Sequence, residues 1–409
     1  MSRRKRTQPK RITERGATLV IVAAAMVGLL GVCAIAIDLA GYYLARAEAQ
    51  RAADAAALAG ASAFVNTGCA TSGCTSGGMQ EPLARQQAEA VGNANSIAGV
   101  SASIQDDDIA FSYPSPQEPQ ITVTAGRSVP TYFAKVFGIR TSNVRASATA
   151  EAYNASGGSV PVSAACLKPF LIPNCDPIHT SPRNPTCQGS AAQGYIIDPN
   201  TGAVVHPDAY PSGVIGMPWK LHSIAGASQW YLVGFQGAPP SSGSALRNHI
   251  VQCTPAILSC GSTLTTANGN NAGPVLQGTE ALINANGDGL NQGQDSIDTS
   301  VGPPFYILGG SNNPNPALVG KTFRDLGASP SVVNVPIYNG SSLPPGGTTV
   351  FIGYMQVFIK DAIHSGNSAD IDAVILNIGG CGGSGGAAGS ASIVAAGGSP
   401  IPIRLIRTD

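Results

Sequence analysis

Charge is scarce in this chain, and the little there is cancels. Asp, Glu, Lys and Arg make up 11% of the 409 residues, with 23 acids against 23 Lys and Arg. A balance of that kind produces no field of one sign, so neither nucleic acid nor an acidic substrate is expected as a partner. Catalytic histidine patterns are missing too. His179, His206, His222, His249 and His364 are scattered, with no H-E-x-x-H and no close pair, which argues against a zincin-type metal site. Helix-forming charged residues thin out after the N-terminus, while 50 Gly and 30 Pro punctuate the rest. That composition predicts turns, loops and short strands rather than helical bundles.

The most informative absence is local. Residues 17–37, ATLVIVAAAMVGLLGVCAIAI, hold no charge in 21 positions. At a rise of about 1.5 Å per residue the run spans about 30 Å, the thickness of a bilayer core. Before it stand Arg3, Arg4, Lys5, Arg6, Lys10, Arg11 and Arg15 against Glu14 alone, and the first charge after it is Asp38. Basic flanks stay in the cytoplasm. The reading is a cytoplasmic tail at 1–16, a transmembrane helix at 17–39, and export of the chain from about residue 40 onward. A cleaved signal peptide is the competing reading, but its apolar core is usually only about 7–15 residues. Here the helical pattern runs on through Tyr42 and Tyr43, which form an aromatic belt at the exit. Arg15-Gly16-Ala17-Thr18 is similar to a prepilin junction, yet Ile21 stands where such junctions carry an acid.

Past the exit, LARAEAQRAADAAALAGASAF at 44–64 is dense in alanine, the best helix former. Its small side chains suit close packing, either on another helix or on the protein's own sheet. A second helix is expected over 80–97, with Pro82 near its start. Asp106-Asp107-Asp108 reads as a solvated turn. Strands are expected at 109–113 and 120–126, from alternation such as Ile121-Thr122-Val123-Thr124. A short helix is expected at 130–138 with Phe133, Val136 and Phe137 on one side, then a strand at 141–152.

This order carries a family resemblance. ADAAALAGA in the stalk, the alternating strand, SVPTYFAKVFGI at 128–139 and VRASATAEA at 144–152 together resemble the TadG-like proteins of Flp (tight adherence) pilus assembly. The resemblance is good over about 15–155 and looser beyond. It implies a TadE/TadG-like N-terminal region in a minor component of the tight-adherence apparatus. Its partners would be pseudopilins and secretion machinery in the bacterial inner membrane. The von Willebrand A-type metal site of some members is not carried over, because Asp295-Ser296-Ile297-Asp298-Thr299-Ser300 lacks the D-x-S-x-S spacing.

Residues 154–165 read as a linker and 166–409 as an exported β-rich domain, with strand-like runs at 194–197, 229–235, 332–338, 349–360 and 371–378. The expected fold class is α+β: anchor helix, Ala-rich stalk within a small helix-plus-antiparallel-sheet unit over 40–153, then the larger β-rich domain. Cys33 lies in the apolar run. The other eight cysteines, Cys69, Cys74, Cys166, Cys175, Cys187, Cys253, Cys260 and Cys381, are an even set in an exported, loop-rich region, which favours disulfides. Cys69–Cys74 and Cys253–Cys260 are the expected local pairs.

Three stretches imitate ligand sites. Gly380-Cys381-Gly382-Gly383-Ser384-Gly385 matches G-x-G-x-x-G, but only 24 residues come after it, too few for the rest of a nucleotide-binding sheet. Gly320-Lys321-Thr322 lacks the glycine five positions earlier that a phosphate loop needs; Asn315 is there. Asn284, Asn286, Asp288 and Asp295 fall at positions 1, 3, 5 and 12 of an EF-hand-like loop with Gly289 at position 6. That spacing would fold oxygens around Ca2+, with weak affinity because only two ligands are charged; an Asn/Gly turn is the alternative. No other cofactor is expected. The functional expectation is a non-enzymatic, membrane-anchored assembly component with its C-terminal domain periplasmic or extracellular. The alternatives are an anchored periplasmic hydrolase, or a surface adhesin acting in cell adhesion through the β-rich domain.

Overall fold

The computed structural model describes residues 14–154, 162–164, 166–175, 194–222, 231–234, 242–253, 258–266, 271–286, 292–339, 347–365, 368–381, 391–393 and 401–406. Cys187, His179, Asp288, the end of the Gly-rich motif and most of the expected linker lie outside these.

A single helix, α1 (Glu14–Asn66), runs over 53 residues. No proline interrupts it, and alanine dominates its second half, so nothing local breaks the ladder. It stops where Gly68 takes φ 73° and its N–H returns to the Val65 carbonyl at 3.0 Å, a left-handed closure that glycine tolerates without steric cost. Then come α2 (Cys69–Ser72) and α3 (Gln80–Asn93). The two-residue strands β1 (Ser96–Ile97) and β2 (Val100–Ser101) pair with each other. The aspartate run at 106–108 forms a 3-10 turn before β3 (Ile109–Ser115). Next are β4 (Glu118–Pro130), a 3-10 turn at Ala134–Phe137, and β5 (Thr141–Ala152). The expected elements over 80–152 are therefore present, except that the helix expected over 80–97 ends at Asn93 and residues 96–97 join a two-stranded ribbon instead.

β3, β4 and β5 form an antiparallel meander. Ile121, Val123 and Ala125 alternate inward on β4, and Val144, Ala146, Ala148 and Ala150 on β5. This period-2 face packs on α1, and α3 packs against α1 beside it.

The larger region begins with β6 (Val162–Ala164), β7 (Phe170–Pro173), β8 (Pro218–His222) and β9 (Tyr231–Gly234). It continues with α4 (Gly243–Val251), β10 (Thr263–Thr266), α5 (Ala272–Ile283), β11 (Ser296–Asp298), β12 (Tyr306–Leu308) and β13 (Thr322–Phe323). Last come β14 (Val332–Tyr338), β15 (Thr348–Ser365), β16 (Ser368–Gly380), β17 (Ala391–Ile393) and β18 (Ile403–Ile406). The main sheet has the order β10-β9-β7-β14-β15-β16-β8, and β10 also pairs with the start of β15. Five strands therefore close a ring of pairings. β14 joins β7 in parallel, and every residue of β14 is buried, as a strand covered on both faces requires. α4 and α5 pack together, and α5 lies against β15 and β16. The principal core, including Trp219, Phe358, Ile371 and Ile250, sits between. The 194–197 run forms no named strand among the described residues; Ile197 makes an isolated antiparallel bridge to Val204.

The chain end does not stay with the large sheet. β18 pairs antiparallel with β5, from Ile403↔Ala152 to Ile406↔Thr149, and becomes the fourth strand of the small sheet. Arg404 fixes this edge through the buried Glu151, its Nε donating to Oε1 at 2.7 Å.

Cys69 and Cys74 are bonded, with Cα atoms 4.7 Å apart. The expected Cys253–Cys260 pair does not form. Cys253 bonds to Cys166 (Cα–Cα 4.6 Å) and Cys260 to Cys381 (5.6 Å), inside the range disulfides require. The reason is topological. Cys166 and Cys253 stand just before β7 and just after α4, where Lys168 meets the end of α4. Cys260 precedes β10 and Cys381 comes just after β16, both neighbours of β15. Cys175 is also disulfide-bonded, and Cys33 is free and exposed.

Candidate membrane anchor and stalk

The apolar side chains in the first half of α1 stand outside the fold. Leu19, Val20, Ile21, Leu29, Leu30 and Ile35 are all at least 65% exposed, a surface that water would penalise by about 25 cal/mol per Å2 of apolar area. The helix is long and apolar enough to cross a membrane, and none of its most apolar stretch is buried in the protein. A core helix of a soluble protein would hide that stretch.

The second half is the reverse. Ala45, Ala49, Ala52, Ala53, Ala56, Ala57 and Ala61 are buried at 2% exposure or less, on the i, i+3, i+4 spacing of one helix face. They meet alanines on β5 and Leu83, Ala84 and Ala88 on α3. With methyl groups on both sides the backbones come close, and two glycines mark the tightest points. A Cβ on Gly60 would lie 2.4 Å from Ile121 Cδ1 and 3.2 Å from the Ala84 carbonyl oxygen. One on Gly92 would lie 2.4 Å from Ile104 Cδ1 and 3.0 Å from Ala56 Cβ. Between the two uses that the sequence left open for the small residues, the buried alanine face serves the protein's own sheet and α3. Among the residues the stalk leaves outward are Tyr43, Leu44, Arg46, Ala47, Arg51 and Leu58.

Polar contacts fix the stalk along its length. Asp38 accepts backbone N–H bonds from Tyr132 (2.7 Å), Phe133 (3.0 Å) and Ala134 (2.6 Å). Glu48 accepts from the Ala98 N–H at 2.7 Å. At the far end a buried network ties α1 and α2 to the large sheet. Asn377 Nδ2 donates to the Val65 carbonyl (3.1 Å) and to Gln356 Oε1 (2.8 Å), and Thr71 Oγ1 donates to Asn377 Oδ1 (3.1 Å). Asn154 Nδ2 donates to the carbonyls of Ala70 (2.9 Å) and Ile378 (3.3 Å). Sequence reasoning missed these residues, since an Asn inside a strand-like run carries no local sign of a distant partner.

Of the four suggested Ca2+ ligands, Asp288 lies outside the described residues and the other three are held by neighbouring protein groups. Asn284 ends α5 in the left-handed conformation, and its carbonyl accepts from Asn312 Nδ2 at 2.9 Å. Asn286 Oδ1 accepts from that same amide at 2.9 Å. Asp295, 2% exposed, accepts from the Gly310 N–H (2.8 Å), from Asn313 Nδ2 (2.9 Å) and from Ser329 Oγ (2.6 Å). Its carboxylate thus gathers three loop segments by protein donors. Among the described residues no cluster of three or more His, Cys, Asp or Glu is placed to hold a metal.

Two lysines stand out in the large region. Lys168, 6% exposed, donates to the carbonyls of Val251 (3.4 Å) and Gln252 (3.1 Å) at the end of α4. Burial pushes its ammonium down to about 8. Burial also acts to lower Lys220, but hydrogen bonds and charges from Asp370 (2.9 Å) and Asp372 (3.0 Å) outweigh it and hold Lys220 above the usual lysine value.

The architecture defines a class: an apolar N-terminal span continuous with an Ala-rich stalk, buried in its own small α+β unit and carrying a larger β-rich region. Residues 16–63 match the Tad family model, described as Flp pilus-assembly TadE/G-like. The matched stretch is the apolar span plus most of the stalk, and the rest of the chain lies outside it. No curated protein and no solved structure matches this chain.

Proposed function

We propose that this protein is a membrane-anchored structural component of an Flp/Tad pilus-assembly apparatus, acting through protein contacts rather than catalysis. The observation that carries this reading is the coincidence of the family match at 16–63 with a helix that is bare at one end and built into a folded unit at the other. A pilus-assembly family, not an enzyme family, is what matches. In this reading the basic residues before the span keep the N-terminus in the cytoplasm. The small unit and the β-rich region then stand on the outer side of the inner membrane. Other Tad components, pseudopilins among them, are the partners. Disulfides between elements far apart in sequence suit that compartment.

The test is a pair of fusions after Asp409. A reporter active only outside the cytoplasm should be active, and one active only inside should be silent; the opposite pattern refutes the orientation. Co-purification of the full chain, extracted in mild detergent, with pseudopilins and secretion components should be lost on substituting the outward stalk residues Leu44 and Leu58 by Glu. Retention of an unchanged partner set would place the contacts elsewhere on the molecule, and the absence of every Tad component from the wild-type eluate would refute the assignment.

A further inference from the structure

The tip of the β4–β5 hairpin is an ordered turn whose apolar side chains stay largely outward among the described residues. Its ten residues, 131–140, read TYFAKVFGIR. Tyr132, Phe133, Val136, Phe137 and Ile139 are 63%, 43%, 79%, 83% and 56% exposed. The tip is nevertheless tightly made. The Thr131 N–H donates to the Arg140 carbonyl at 3.0 Å, closing its base. Gly138, at φ 87°, closes the 3-10 turn, with its N–H on the Lys135 carbonyl at 3.1 Å. Five apolar side chains are thus held outward by a fixed backbone, an arrangement that water disfavours and that marks a contact surface.

Its position says what it contacts. The hairpin runs along α1 toward the apolar span: Ile121 lies over Gly60, and Tyr132 to Ala134 lie on Asp38. Asp38 is the first charge after the 21-residue charge-free run, so it marks the edge of the hydrocarbon. Three N–H bonds to its carboxylate hold the tip at that edge. The tip carries Lys135 and Arg140 and no acid, which suits anionic phosphate groups at the same depth. Tyr43, 60% exposed, adds another aromatic ring near the exit of α1.

We infer that residues 131–140 are a second membrane contact, a hairpin tip seated in the bilayer interface beside the exit of α1. Phe137 and Val136 enter the headgroup/acyl boundary, and Lys135 and Arg140 reach the phosphates. The consequence is mechanical. A single span leaves the exported unit free to tilt and swivel, whereas a second contact fixes how its β-rich region faces the apparatus. This inference rests on the anchor reading and extends it.

The experiment uses the full chain reconstituted in phosphatidylcholine/phosphatidylglycerol vesicles, with bromine placed at defined depths on the acyl chains. Three variants are compared with the parent: Phe137→Trp at the tip, Leu29→Trp within the span, and Val301→Trp on the large region, a position 63% exposed. The added emission of Phe137→Trp should be lost with shallow bromines, at a depth about 5–10 Å into the headgroup/acyl boundary. Leu29→Trp should be quenched by deep bromines, and Val301→Trp only by aqueous iodide. Quenching of Leu29→Trp by bromine with Phe137→Trp reached only by iodide overturns the second contact and leaves the anchor standing. A Phe137→Trp emission that neither agent reaches means a protein occupies the tip, and overturns it equally. Failure of bromine to quench Leu29→Trp overturns the anchor itself, and this inference with it.

Discussion

Gly60→Ala is a one-carbon change that tests how closely the stalk is packed. In an exposed helix interior, replacing Gly by Ala stabilises by about 1 kcal/mol. At Gly60 the new methyl would sit 2.4 Å from Ile121 Cδ1, 3.2 Å from the Ala84 carbonyl oxygen and 3.3 Å from Ala88 Cβ. The backbone oxygen must give by a few tenths of an ångström, and the Ile121 terminus must move by more than an ångström to reach an ordinary contact of about 3.5–4.0 Å. Ile121 is fully buried, so it has nowhere to move without disturbing its neighbours. Overpacking of this kind costs about 1–3 kcal/mol. The propensity gain of about 1 kcal/mol offsets part of it, leaving a net destabilisation of up to about 2 kcal/mol.

The assay is urea unfolding of the full chain in micelles, disulfides intact, comparing midpoints at constant slope. A double-mutant cycle supplies the control. Ile121→Val removes Cδ1 and by itself should cost about 0.5–1.5 kcal/mol. In combination with Gly60→Ala it opens the space the methyl needs, so the pair should lose less than the sum of the two singles. A Gly60→Ala protein more stable than the parent, or strict additivity in the cycle, would refute the close contact between stalk and sheet.

Three further outcomes are expected from the same structure. Asn377→Leu would leave Gln356 Oε1 without its amide donor, while the Val65 carbonyl keeps the Gly68 N–H and Thr71 Oγ1 keeps the Ile378 backbone; at about 1–3 kcal/mol for such a buried orphan, limited proteolysis should show the two regions separating before either unfolds. Peptide mapping without reduction should recover Cys69–Cys74, Cys166–Cys253 and Cys260–Cys381, and a recovered Cys253–Cys260 peptide would contradict the topology at the end of α4. Lys168 is held down to about 8 by burial, so the unfolded chain binds the extra proton between about pH 8 and pH 10.5. Stability should therefore rise across that window by up to about 3 kcal/mol, and Lys168→Met should flatten the rise in a pH series of unfolding midpoints.

Local signals sufficed wherever one short stretch carried the physics. The apolar run is legible because twenty-one positions without charge need no tertiary partner to explain them. α3, β3, β4 and β5 are legible because their periodicity is written in consecutive residues. Of the stretches that carried the TadG-like resemblance, the family match at 16–63 covers ADAAALAGA in the stalk and not those at 128–139 and 144–152. Cys69–Cys74 closes a loop short enough to be read off the spacing.

What only the tertiary structure decided depends on residues far apart. An alanine ridge is equally suited to a foreign helix and to its own sheet, and only the placement of β4, β5 and α3 shows which it covers. Cys253 lies seven residues from Cys260, yet strand order carries each to a cysteine about a hundred residues away. β18 is a four-residue strand with no periodicity to speak of, and its partner β5 is some 250 residues earlier. Asp295 looks like a loop oxygen in sequence, but Gly310, Asn313 and Ser329 converge on it from other segments. Loop-closure entropy grows only slowly with chain separation, so long-range pairings are cheap enough to form and leave no trace in local sequence.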